Sequence, residues 1–164
     1  MPNWCYNTID IIAEPETIQR FEKFLEDNKG EDWFSFFHPM PEDIKNSDQA
    51  WYEWAINNWG CKWNCSARDW EVSEHNNRIS FSFDSPWGPP IALYDFMSNE
   101  FEDVVIEAKY LEEGMGFVGQ YIDGIDESYE YSCREDLDLI PEELVDHWNL
   151  HDQFFDEDEE DEEE

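Results

Sequence analysis

The feature of this sequence that any fold of it must accommodate is its excess of acids. Asp and Glu number 43 against 9 Lys and Arg, a formal net charge of -34 over 164 residues. Asp156 to Glu164 are acidic without exception, yet residues 1–155 still hold 34 acids against the same 9 bases. Self-repulsion on this scale works against a compact state. Even so, 17% of the residues are aromatic, with 9 Trp, 12 Phe and 7 Tyr. Disordered acidic chains lack such residues, so this one is expected to fold and bury them. Its length suits a single domain with a real core.

The charge excludes several functions. Phosphate contacts need clustered Lys and Arg, so direct binding to nucleic acid is not expected, and an anionic membrane surface would repel the protein. No run of about 18 apolar residues suggests a membrane span, and Met1-Pro2-Asn3-Trp4 has no basic-then-apolar pattern of a signal peptide. Cys5, Cys61, Cys65 and Cys133 are too few and too scattered for a disulfide scaffold. A reducing, cytoplasmic setting is the expectation.

The pattern along the chain mixes both periods. Residues 4–12 alternate as a strand. Glu14-Pro15-Glu16 opens a helix whose Ile18, Phe21, Phe24 and Leu25 form a stripe ending at Gly30. Trp33 to Phe37 reads as a short strand, residues 42–49 as loop and Ala50 to Trp59 as an inserted helix. Asp69 to Glu74 and Arg78 to Asp84 read as a hairpin turning at His75-Asn76-Asn77. Ile91 to Glu102 is a second amphipathic helix. Val104 to Tyr110 and Met115 to Ile122 make a further hairpin around Glu112-Glu113-Gly114. Tyr129 to Cys133 reads as an edge strand and Pro141 to Asn149 as a short helix. The acidic run 156–164 has no apolar period and is expected to be disordered. The sum is an α+β, ferredoxin-like antiparallel sheet with helices on one face. Residues 1–122 would hold that domain with its inserted helix near 50–60. An acidic extension, 123–155, would pack on it.

Three stretches, MPNWCYNTIDI, WYEWAINNWGCKWN and SFDSPWGPPIALYDF, resemble the YubB-type ferredoxin-like family of phage and plasmid proteins. The matching positions are Pro2, Asn3, Trp4, Cys5 and Asn7, then Asn58, Trp59, Gly60, Lys62 and Trp63, then Trp87, Pro89 and Pro90. The resemblance covers roughly residues 1–122. It implies the fold and a mobile-element origin, and supplies no chemistry.

Sites for catalysis or metal are poorly supported. Cys61 and Cys65 could give zinc two ligands with Cys5 or His38, but a structural site needs four and no second pair exists. Buried, inert thiols are the reading preferred. His147 and His151 lie four apart on a predicted helix and could bind a metal ion, but interaction with the helix dipole is the reading preferred. No Gly-rich phosphate loop, nucleophile elbow or HExxH motif occurs. No enzyme activity and no cofactor are expected. Trp51, Trp54, Trp59, Trp63, Trp70 and Trp87 read mainly as core.

The acids remain. Asp123, Asp126, Glu127, Glu130, Glu135, Asp136, Asp138, Glu142 and Glu143 crowd one stretch, with Glu112 and Glu113 on a nearby turn. Carboxylates at i and i+4 of a helix, or on alternate strand positions, lie about 5–7 Å apart, a spacing that imitates a row of phosphates. The expected function is that of a phage or mobile-element inhibitor. It would mimic nucleic acid and block the cleft of a basic host defence protein such as a restriction or CRISPR effector. An acidic adaptor for basic proteins and a divalent-cation-binding protein are the alternatives.

Overall fold

The computed structural model describes residues 2–154. The alternation at the start of the chain becomes β1 (Trp4–Ile12), with Cys5, Asn7, Ile9 and Ile11 buried on one face. The period of two sets Trp4, Tyr6, Thr8 and Asp10 on the other. α1 (Pro15–Asp27) follows, with Ile18, Phe21 and Leu25 turned inward. Gly30, at φ +80°, closes it by donating its N–H to the Leu25 carbonyl at 2.7 Å. A side chain there would collide with the carbonyl of Ala67, whose own N–H donates to the Gly30 oxygen at 2.7 Å. The end of α1 is thereby tied to the start of the next strand.

Trp33 to Phe37, expected as a strand, is instead the one-turn helix α2 (Phe34–Phe37). Trp33, Phe34 and Phe37 all face the core. Trp33 meets Phe34, Phe81 and Phe83 edge-on, with ring centres 4.8, 5.1 and 5.1 Å away. A strand would have turned alternate rings into water. The segment 42–49, expected as loop, contains the short helix α3 (Glu42–Lys45). α4 (Ala50–Asn58) is the expected inserted helix and stops before Gly60, at φ +82°.

β2 (Arg68–Val72) and β3 (Arg78–Pro86) form the expected hairpin, α5 (Ile91–Glu100) recrosses the sheet, and β4 (Val105–Glu112) returns beside β1. β5 (Phe117–Ile122) and β6 (Ile125–Glu130) extend the sheet as a meander. The edge strand expected over Tyr129–Cys133 thus lies further upstream. All six strands are antiparallel to their neighbours in the order β2-β3-β1-β4-β5-β6. Strands β1 to β4 with α1 and α5 give the split β-α-β arrangement of ferredoxin-like folds.

The main core lies between the helices and the inner sheet face, where Ile9, Ile11, Ile79, Phe81, Phe83 and Ile106 meet Trp33, Phe34, Leu93 and Met97. A second core lies on the other face. There Leu111 and Val118 are covered by Leu137, Ile140, Leu144, Val145, Leu150 and Phe154. These come from α6 (Glu142–His147), the 3-10 turns on either side, Arg134–Leu139 and Leu150–Phe154, and Ile140 just after the first turn. The sheet is therefore helix-covered on one face and partly capped on the other. The acidic run expected to be disordered, 156–164, lies outside the described residues.

Candidate functional site

The acidic end is built on the β5–β6 hairpin. Asp123 and Gly124 form its two-residue turn at φ +54° and +78°, and Ile122 pairs with Ile125. Two consecutive positive φ values define the tight turn whose twist matches that of the strands. Six successive pairs, from Phe117 with Glu130 to Ile122 with Ile125, hold β6 in unbroken register. Asp126, Ser128 and Glu130 then share one face, and Ile125, Glu127 and Tyr129 the other. Tyr129 packs on the second core. The chain continues through the 3-10 turn with Glu135, Asp136 and Asp138 into α6, whose first turn carries Glu142 and Glu143. Arg134 is the sole Lys or Arg from Tyr110 to Glu164.

The eleven acids singled out by sequence do not share one environment. Glu112, expected on an exposed turn, is 1% exposed. Its two carboxylate oxygens accept the N–H groups of Gly114 and Met115, each at 2.8 Å, so it closes the β4–β5 turn and offers nothing to a partner. Asp126 accepts the Tyr110 hydroxyl at 2.6 Å, and burial raises its carboxyl above the ordinary Asp range. Asp136 accepts the Ser132 N–H at 2.8 Å and the Cys133 N–H at 3.3 Å, and these bonds lower its carboxyl. Glu143 lies 3.6 Å from Lys109. Glu113, Asp123, Glu127, Glu130, Glu135, Asp138 and Glu142 are exposed. Apolar side chains stand open among them, with Ile125 62% and Leu139 81% exposed.

A second constellation was not legible as one surface in the sequence. The three motifs of the family resemblance converge at the N-terminal end of β1. Trp63 lies between Trp4 and Trp87, its ring centre 6.1 Å from each. Lys62 holds its ammonium 5.5 Å from the Trp63 and Trp87 rings and 6.0 Å from Tyr52. Trp4, Tyr52 and Trp87 are exposed. Beside them a cavity of about 250 Å³ is lined by Trp4, Trp63, Asn64, Cys65, Ser66, Arg68 and Asp84, with Arg68 bonded to Asp84 at 2.9 Å. Trp59, by contrast, is core, while Trp51, Trp54 and Trp70 are partly buried against it.

Below this patch the motif cysteines are inert. Cys5, Cys61 and Cys65 are buried. Burial pushes the Cys61 thiol up to about 12 and raises those of Cys5 and Cys65 as well, the opposite of what a nucleophile or a metal-bound thiolate requires. The buried Asn7 donates to Ser85 Oγ at 2.9 Å, and Ser85 donates to the Gly88 carbonyl at 2.6 Å, locking β1 to the aromatic-Pro-Pro turn. Among the described residues no three of His, Cys, Asp and Glu are grouped as a metal ion requires. No helix among them is long and apolar enough to cross a membrane.

Residues 58–164 match the model of a family described as the ferredoxin-like domain in Api92-like protein, and the chain belongs to that family. Among solved structures it is similar to the crystal structure of a protein api92 from Yersinia pseudotuberculosis. That likeness has a TM-score of 0.49 at 12% identity and covers 81% of this chain and 99% of that one. No curated protein sequence matches it.

Proposed function

We propose that this protein is a non-enzymatic inhibitor of phage or plasmid origin, of the YubB type. In the bacterial cytoplasm it would occupy the nucleic-acid cleft of a basic host protein. The observation that carries this reading is the sheet end from Asp123 to Glu143. A strand, a 3-10 turn and a short helix, stable in outline because Leu137, Ile140, Leu144 and Val145 anchor them, hold exposed carboxylates in fixed places. The surface is acidic and structured at once, as a mimic requires. Long-range attraction would steer a Lys- and Arg-lined cleft to it. Restriction and CRISPR effectors are the class of target with such clefts.

The test is charge reversal at three exposed acids of this stretch. Glu135→Lys, Asp138→Lys and Glu142→Lys together should weaken binding to the captured target by on the order of a hundredfold, chiefly through association rate. Equal binding by the triple variant would refute the proposal. An acidic adaptor for basic proteins in general would instead bind many of them, with no competition from duplex DNA at a defined cleft.

A further inference from the structure

We infer that the outer edge of β6 is a strand-addition site for an extended segment of the partner in which Lys or Arg alternates with apolar residues. The inference deepens the proposed function and rests on its claim that the partner is basic. β6 is the last strand of the sheet, and among the described residues no strand lies beyond it. The phase of its free groups follows from the hairpin. A two-residue turn makes Ile122 and Ile125 a hydrogen-bonded pair, and such pairs recur at every second residue. The odd-numbered residues therefore bond inward to β5, and just past the strand Tyr131 keeps that phase by donating to the Gly116 carbonyl at 2.9 Å. The N–H and C=O groups of Asp126, Ser128 and Glu130 are left pointing away from the sheet.

The two edges of this sheet are guarded differently. β2 is short, and its register shifts between Arg68 and Glu71, an irregularity that blunts an edge against further pairing. β6 has no such shift. What protects it from a second copy of itself is charge, because self-pairing would set Asp126, Glu127 and Glu130 against like charges. A basic strand reverses the sign of that term. Side chains across a strand pair sit about 4.5–5.5 Å apart at the Cβ atoms, so Lys residues on one face of the incoming segment would meet Asp126 and Glu130. Its apolar residues would fall on the other face, where Ile125 is open and Tyr129 is held by the second core. Main-chain bonds supply affinity in such complexes, and the alternating side chains supply selection.

Two synthetic twelve-residue peptides test this on the full chain: one alternating Lys and Val, the other alternating Lys and Pro. They carry equal charge, but the second cannot form a ladder. The Lys-Val peptide should slow hydrogen exchange at the amides of Asp126, Ser128 and Glu130 and bind about tenfold tighter than its Pro counterpart. Ser128→Pro should abolish that preference by removing an N–H that the added strand needs and the sheet itself does not use. Equal affinity of the two peptides for the unaltered protein, or no protection of those three amides, overturns strand addition. Equal but salt-sensitive binding leaves the electrostatic proposal standing, whereas no binding of either peptide at low salt overturns both.

Discussion

Three carboxylates show how residue-level surroundings divide acids that look alike in sequence. Glu112 is held by two backbone amides in a buried position. Truncating it leaves both donors unmatched, so Glu112→Ala should cost about 2–4 kcal/mol in urea unfolding, with Glu112→Gln losing roughly half as much. Asp136 and Asp126 are shifted in opposite senses. Asp136 is lowered by the Ser132 and Cys133 amides, so its contribution is complete above the ordinary Asp value near 4 and is lost as pH falls through the lowered one. Asp126 is raised by burial, so its ionised form burdens the folded state and that burden lifts as pH falls through the raised value. Asp136→Asn should therefore flatten the acid limb of a stability-pH curve, whereas Asp126→Asn should steepen it. That Glu112 is structural was hidden because Glu112-Glu113-Gly114 reads as any exposed acidic turn. Its inward direction is set by β4, where Tyr110, Leu111 and Glu112 are buried in succession.

Among the elements, those with long clean periods were legible: β1, α1, the β2–β3 hairpin, α4 and α5 fall where the pattern puts them. α2 was not, because Trp33, Phe34, Phe36 and Phe37 are β-formers by type and only their positions in space reveal a helix. β6 lies upstream of the expected edge strand because Asp123-Gly124, between Ile122 and Ile125, is itself a tight hairpin turn. The C-terminal segment was legible as a helix but not as the lid of a second core. Leu144, fully buried there, tests that role: Leu144→Ala should cost about 2–5 kcal/mol and loosen α6 before the sheet in hydrogen exchange. One contact ties α6 to the central strand, His147 Nε2 lying 2.9 Å from Thr8 Oγ1. Burial first, and then Lys109, hold the His147 imidazole below its ordinary value, against opposing pulls from Glu143 and Asp10. The unfolded chain thus takes up the proton first on acidification. Stability from this contact is full above about pH 6.5 and declines below it, so α6 amides should exchange faster relative to the sheet at pH 5 than at pH 7.5.

At the scale of the whole molecule, net charge of -34 is carried by a fold whose two cores are ordinary aromatic and aliphatic packing. Added salt screens repulsion between surface acids over about 8–10 Å at 0.1–0.15 M. The melting temperature should therefore rise between 10 mM and 500 mM NaCl, where a protein held by surface ion pairs would show a fall. The same screening must weaken any contact made by the acidic end. Capture on the immobilised protein from bacterial lysate at low salt, followed by elution with duplex DNA, puts the central claim to the test. A basic nucleic-acid-binding protein released by DNA, and not recaptured by the Glu135→Lys, Asp138→Lys, Glu142→Lys variant, is the predicted result. A mixture of basic proteins released by salt alone, with nothing displaced by DNA, would contradict it.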